Sequence, residues 1–347
     1  MSTPPASETG QAHRLPETMT ALVAAGVGWQ QRELPVPAPH ATQVLVRARA
    51  VALNNADLDS LSSATSTGDA PQGDGSAEDT NATPVGYEFA GEIVAVGEQV
   101  TGVSIGDRVM GTTPGSFAQY VPVDHRHVIP VPDGVSDTDA CALPTGLLTE
   151  HGALVLAGFR SGQSVLVSGA SSGIGLLGVQ IARALGASPV IATTREAAKT
   201  DLLRGLGATH VVTSSGELVA AVLEATSRDG VDVVLDHVGG AALAGCLPAT
   251  RTGGTLVSIG RLSGDESSID LARLESGQLT LRGVSFGFTP PEQIGDVLAG
   301  LTHDVLPALA DGRISAVVDT VLDFDDSAAA LGALRGHRTG KVVLRVP

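Results

Sequence analysis

From residue 19 to about 131 the apolar and polar positions alternate in short β-branched runs, QVLVRARAVAL, GEIVAVG, DRVMG and FAQYVPV, separated by Gly, Pro and Asp. A period of two buries one face of a strand and the turn residues end each run, so an all-β domain is expected here. From about 145 the pattern changes. The apolar runs SVLVSG, PVIATT, HVVTS and VDVVLD alternate with Ala- and Leu-rich stretches of helical spacing, notably from about 173 to 185 and from about 195 to 206. Strands alternating with helices of this length predict a doubly wound parallel sheet. GTLVSIG and LTLRGVSF bring the candidate parallel strands to six, the number of a complete dinucleotide-binding sheet.

Two stretches follow neither pattern. Residues 1–18 are polar and proline-bearing, without the apolar region of a signal peptide, and read as a flexible tail. Residues 60–83 are rich in Ser, Gly, Ala, Thr and Asp, and read as a disordered insertion or a lid. The chain of 347 residues has room for about two domains. A net charge of −16, from 37 acidic and 21 basic residues, argues against nucleic-acid or anionic-membrane partners. The most apolar long stretch, 140 to 158, is interrupted by Pro144, Glu150 and His151, which argues against a membrane span. Two cysteines, Cys141 and Cys246, are too few for a disulfide framework and fit a reducing, cytoplasmic setting. Lysine occurs only at Lys199 and Lys341, which confines any functional ammonium group to those positions.

The strongest local signal is the strand at 165 to 169, which runs into Gly169-Ala-Ser-Ser172-Gly173-Ile174-Gly175 and then a helix with Ile174, Leu177, Ile181 and Leu185 on its apolar face. Glycines let a pyrophosphate approach the backbone, and the helix N-terminus offers it free N–H groups and a positive dipole end. The next strand ends Ala192-Thr193-Thr194-Arg195, with no acid at its tip for ribose hydroxyls. Arg195, with Lys199 one turn later, could clamp a 2′-phosphate, so NADPH is favoured over NADH. The string SGASSGIG also looks like a short-chain dehydrogenase motif. That reading fails, because neither tyrosine, Tyr87 nor Tyr120, has a lysine four residues on.

In order along the chain come Asn54-Asn55-Ala56-Asp57, the run from Gly86 through Glu88 and Gly91 to Gly97, Gly106-Asp107-Arg108-Val109, Phe117-Ala-Gln-Tyr120, the glycine loop, Asp236-His237-Val238-Gly239, Ile259-Gly260 and Gly340-Lys341. This ordered set resembles the medium-chain dehydrogenase/reductases, most closely the zinc-independent quinone oxidoreductase branch. The resemblance implies a GroES-like β-barrel domain over 19–140, a six-stranded Rossmann domain over 141–311 and a return segment over 312–347 that completes the barrel. It also implies a homodimer, with the run from Thr280 to Phe286 available to join two sheets.

The zinc-dependent relatives carry a cysteine and a histidine where this chain has Asn54 and Tyr87, so no metal is expected. His125 and His127 share a face of an expected strand without a third ligand and read as surface residues. Lacking a Lewis acid, the chain suits hydride addition to a quinone or to the C=C bond of an α,β-unsaturated carbonyl, whose enolate hydrogen-bond donors can stabilise.

The resemblance places Asn54 near nicotinamide and substrate, Thr149 beside the nicotinamide, and Gly169, Ser172, Gly173 and Ile174 at the pyrophosphate. Thr193, Thr194, Arg195 and Lys199 fall at the adenosine phosphate, Val238, Gly239, Ile259 and Gly260 along the cofactor, and Phe286, Gly287 and Lys341 close the site. Tyr87 reads either as a proton donor or as a packed core aromatic, and His151 and His237 as structural. The family often has a proline after the asparagine and an aromatic residue nearby, whereas this chain has Asn55 and Leu58-Asp59-Ser60-Leu61. The alternatives to a general quinone or enone reductase are a tailoring enoyl reductase of a natural-product pathway and a non-catalytic NADPH-binding sensor or structural protein.

Overall fold

The computed structural model describes residues 15–58, 61, 82–213, 215–286 and 291–347. Most of the 60–83 segment, the first part of the tail and Gly287 lie outside the described residues. The first domain begins with a hairpin of β1 (Thr18–Ala25) and β2 (Gly28–Pro35). There follow β3 (Gln43–Leu53), β4 (Glu88–Val96), β5 (Arg108–Thr112), β6 (Tyr120–Asp124) and β7 (Val128–Pro130). The second domain is built on β8 (Val165–Ser168), β9 (Val190–Thr193), β10 (His210–Val212), β11 (Val231–Asp236), β12 (Thr250–Ser258) and β13 (Thr280–Gly283). The chain then returns to the first domain through β14 (Val318–Asp323) and β15 (Lys341–Arg345).

β8 to β13 form one parallel six-stranded sheet in the order β10-β9-β8-β11-β12-β13. This is the Rossmann order, and its switch point lies between β8 and β11, where ligands enter at the carboxyl ends of the strands. Every residue of β8 is buried, with Val165 and Val167 in one core and Leu166 in another, as helices on both sheet faces require.

The other large sheet has seven strands, in the order β14-β15-β3-β4-β5-β7 with β6 also on β3. The two domains meet along β3. Val51 and Leu53 point into the barrel core, whereas Ala50 and Ala52 belong to the core shared with the second domain. The pleat thus carries β3 between both cores and delivers Asn54 at their junction. β15 repeats the arrangement, with Val342 and Leu344 on one side and Val343 on the other.

The opposite end of the parallel sheet is pinned by Asp232. Its carboxylate accepts hydrogen bonds from Ser164 N (2.8 Å), Ser164 Oγ (2.7 Å), Gln163 Nε2 (3.2 Å) and Arg251 Nε (2.5 Å). Burial pushes this carboxyl up, but the Ser164 bonds and Arg251 outweigh burial and hold it below its ordinary value. Asp232→Ala is expected to cost about 1–3 kcal/mol, because it strands the Ser164 amide. A depressed carboxyl stabilises the fold above its unfolded pKa and loses that contribution as pH falls through the folded value. Urea melts should therefore show the gap between wild type and Asp232→Ala closing in acid. A gap that stays constant down to strongly acidic pH would remove the assignment.

Two local expectations are corrected. His125 and His127 lie on a 3-10 turn (His125–His127) rather than a strand, because Asp124 caps the turn by accepting Arg126 N, and His127 is buried. The helix expected from about 195 is a 3-10 turn (Ala197–Lys199) continued by a short α-helix (Thr200–Gly205). Among the described residues no helix is long and apolar enough to cross a membrane.

Candidate active site

Strand register assembles a polar cluster at the domain junction. Leu53 stands opposite Val342 and Ala52 opposite Glu88, so the residue after β3 meets the first residues of β4 and β15. Asn54 Nδ2 donates to Glu88 Oε1 at 2.9 Å, and Lys341 Nζ donates to Asn54 Oδ1 at 2.6 Å and to Glu88 Oε1. Glu88 Oε2 accepts the backbone N–H of Thr145, at 2.9 Å, in the first turn of the helix Pro144–Leu156. The Asn54 amide N–H donates to Asp57 Oδ2 at 2.5 Å within the turn Asn55–Leu58. Asn54, Asp57, Glu88 and Lys341 are all buried. A buried ammonium and carboxylate are tolerable because each is the other's counter-charge and the remaining sites are hydrogen-bonded. Both ends of the Asn54 side chain are engaged, so its orientation is set.

The cluster adjoins the glycine loop. A Cβ built on Gly173 would lie 3.4 Å from Lys341 Cδ and 3.4 Å from the Gly340 carbonyl. Gly169 has φ +70° and its N–H donates to Thr193 Oγ1 at 2.9 Å, while Ser172 Oγ accepts Gly175 N at 3.1 Å. A Cβ on Gly175 would stand 2.7 Å from the Gly169 carbonyl, so only glycine permits this close turn. The helix that follows, Gly175–Ala184, has no side-chain cap at Ile174, and residues 171–174 are partly exposed. The amides of Gly175, Leu176, Leu177 and Gly178 are already paired, whereas those of Gly173 and Ile174 make no hydrogen bond among the described residues, and two open amides at an accessible helix N-terminus fit a pyrophosphate. Thr145 Oγ1, beside Glu88, is buried without a hydrogen-bond partner among the described residues, a second opening for a ligand. The residues present therefore fit a dinucleotide.

The other expected cofactor residues fall around this loop in varied states. Thr149 is partly exposed one helical turn beyond Thr145. Val238 is partly exposed, and a Cβ on Gly169 would touch its Cγ2. Gly239 has φ +71° and donates its N–H to Asp236 Oδ2 at 2.9 Å. Ile259 and Gly260, partly exposed after β12, donate their N–H groups to the Asp236 carbonyl. Phe286 packs on Gly152 of the helix Pro144–Leu156.

At the end of β9, Thr194 is buried and Arg195 is exposed. Lys199 is buried, paired with Glu196 Oε1 at 2.9 Å, and its Nζ donates to the Arg338 carbonyl at 3.3 Å. His337 Nε2 lies 2.9 Å from Glu196 Oε2. Lys199 thus links the nucleotide domain to the return segment and is already paired with an acid. Tyr87 is partly exposed between buried Gly86 and Glu88, so the turn does not bury it as a packed core aromatic would be. Both cysteines are buried. Burial holds the Cys141 thiol well above its usual range, and burial with nearby Asp236 pushes Cys246 up to about 12, so neither is poised as a nucleophile.

Glu88 and Thr145 were not singled out by the sequence as site residues. Both lysines of the chain are buried and each has an acid beside it, Glu196 for Lys199 and Glu88 for Lys341, as burial of an ammonium requires.

The family profile described as "Alcohol dehydrogenase GroES-like domain" matches residues 40–133, and that described as "Zinc-binding dehydrogenase" matches 173–302. The chain is 34% identical over 270 residues to the "Spectinabilin polyketide synthase system protein NorB" of Streptomyces orinoci, covering 76% of this chain. It spans only 12% of that protein's length. Among solved structures, an alcohol dehydrogenase superfamily protein from Novosphingobium aromaticivorans shares 27% identity at a TM-score of 0.80, over 95% of this chain and 100% of that one. The mycobacterial protein Rv1454c complexed with NADPH shares 26% at 0.77, over 94% and 99%.

With the barrel profile and the nucleotide-domain profile matched in chain order, the chain belongs to the medium-chain dehydrogenase/reductases, a family of nucleotide-dependent oxidoreductases. Within that family it falls broadly in the quinone oxidoreductase-like branch. The zinc in the second profile's description finds no counterpart in this site. Asn54 and Tyr87 are poor ligands, an ammonium already bonds Glu88, and no group of three or more His, Cys, Asp or Glu among the described residues is placed to hold a metal.

Proposed function

We propose that the chain is an NADPH-dependent, zinc-independent reductase that delivers hydride to a quinone or to the β-carbon of an α,β-unsaturated carbonyl compound. The observation that carries this reading is the Lys341–Asn54–Glu88 cluster, a fixed internal cation beside the glycine loop. NADPH, when bound, supplies the hydride. Lys341 has one N–H beyond the two it gives to Asn54 and Glu88, and Asn54 Nδ2 has one beyond Glu88. These donors are suited to negative charge developing on a substrate oxygen. Glu88 holds Lys341 Nζ and Asn54 Nδ2 in place, and Tyr87 or water supplies the proton, to the α-carbon of an enolate or to the oxygen of a hydroquinone anion. The neighbour complexed with NADPH supports the choice of nucleotide, and Arg195 with Lys199 remains the proposed 2′-phosphate contact.

The likeness to a polyketide synthase protein favours a second reading, an enoyl reductase that tailors a natural-product intermediate. A homodimer through β13 is part of the proposal, since this edge strand is exposed throughout. Two buried thiols suit a cytoplasmic setting.

NADPH oxidation, followed by nicotinamide absorbance in metal-free buffer against a panel of quinones and enones, tests this. Chelator-resistant turnover that prefers NADPH is expected. Turnover abolished by chelator and restored by zinc would overturn the reading, and activity confined to one elaborate enone would select the tailoring enzyme. Tight nucleotide binding with no consumption across the panel would point to a non-catalytic sensor.

A further inference from the structure

A second buried charge cluster lies beneath the cleft and has no part in the chemistry above. The helix Pro144–Leu156 carries Glu150 inward, where it is 0% exposed, and the turn after β11 carries His237, which is 4% exposed. His237 Nε2 and Glu150 Oε1 approach to 3.1 Å, off the line of a well-aligned hydrogen bond. Neither Glu150 oxygen has any other hydrogen-bond partner among the described residues. The contact therefore depends on charge. A buried carboxylate facing a neutral imidazole would have nothing to balance it.

The pair sits where small shifts reach the nucleotide loop. A Cβ on Gly178, in the helix after that loop, would lie 2.5 Å from Glu150 Oε2. The same construction on Gly169 lies 3.5 Å from His237 Cβ, and on Gly260 lies 2.4 Å from the His237 carbonyl. His237 is thus wedged between two glycines of the cleft. Glu150 follows Thr149 on the helix whose first turn holds Glu88 through Thr145 N.

We propose that Glu150 and His237 form a positioning pair that keeps the floor of the nucleotide cleft in its binding shape only while His237 is protonated. The inference rests on nucleotide binding at the glycine loop. Burial alone would push the His237 imidazole down, but Glu150 opposite it, with Asp236 on its own turn, outweighs burial and holds it above its ordinary value. The helix Gly175–Ala184 presents no charge to the pair, only Gly178, and neighbouring His151 is turned to Asp304 at 3.1 Å. A raised imidazole stabilises the fold fully below its unfolded value near 6.5 and loses that contribution as pH rises through the folded value. Once the proton leaves, the stranded carboxylate is relieved by movement of its helix toward water. That movement carries Thr145 and Thr149 away from the cleft.

The test is NADPH dissociation from the full chain by calorimetry, from about pH 7 to about pH 9.5, above the range in which the 2′-phosphate titrates. Wild-type affinity should weaken about threefold to tenfold as pH rises, one unit of coupling being tenfold. Glu150→Gln should flatten the profile, and the histidine proton resonance of His237 should titrate above the free value in wild type and below it in this variant. The double variant Glu150→Met/His237→Leu removes the charges together, is expected to keep the fold, and should also be flat. A flat wild-type profile, or one that survives in either variant, overturns the proposal. Absence of nucleotide binding at every pH would instead remove the reading on which it rests, and the proposal with it.

Discussion

Lys341→Met is expected to destabilise the protein by about 3–5 kcal/mol, the cost of leaving one member of a buried ion pair without the other. Glu88 would retain only Asn54 Nδ2 and the Thr145 amide, and Asn54 Oδ1 would lose its donor. Turnover should fall by about 100-fold or more, the usual effect of removing a donor from developing negative charge. Stability and chemistry separate in the double variant Lys341→Met/Glu88→Gln. With both charges gone, much of the stability should return while turnover stays low. Urea midpoints and steady-state rates on the two variants decide the matter. A single variant within about 1 kcal/mol of wild type would contradict a buried pair, and a double variant of normal activity would deny the ammonium a chemical role.

The joint replacement Arg195→Ala/Lys199→Ala should weaken NADPH binding by about 100-fold and leave NADH nearly unchanged. Each hydrogen bond to a charged group contributes about 1.5–3 kcal/mol, and Lys199 lies at the lower end because Glu196 already competes for it. Glu196→Gln should strengthen NADPH binding by freeing Lys199 from its competing carboxylate. Dissociation constants for the two nucleotides provide the comparison. Equal weakening of NADPH and NADH in the double variant would remove both residues from the 2′-phosphate.

What could be read from the sequence follows the range of the interactions involved. The change from a period of two to helical spacing near 145 and the strand-glycine-helix string at 165 to 185 are local, and both correspond to observed elements. The turn at 125 to 127 is masked in the sequence because Val-Asp-His-Arg-His-Val continues a strand-like alternation, and only the Asp124 cap interrupts it. The polar cluster is a different case. Asn54 and Lys341 were each identified by resemblance, but the contacts joining Lys341 to Asn54 and Glu88 span 287 and 253 positions and are created by strand register. Glu150 and His237 likewise meet only because a helix and a strand end pack together. No local spacing encodes such a meeting.

The pairing of β15 with β3 orders events during synthesis. The parallel sheet has all its strands once the chain reaches Gly283 and can form as it leaves the ribosome, whereas the stretch of β3 from Ala50 to Leu53 must wait for β15 to emerge. Until then Glu88 lacks its Lys341 partner, and β3 carries an open edge over Ala50–Leu53, beyond the part that β6 covers. A nascent chain stalled before β15 is thus expected to hold a nucleotide fold without the buried ion pair at the domain junction, and to depend on chaperones to shield that edge.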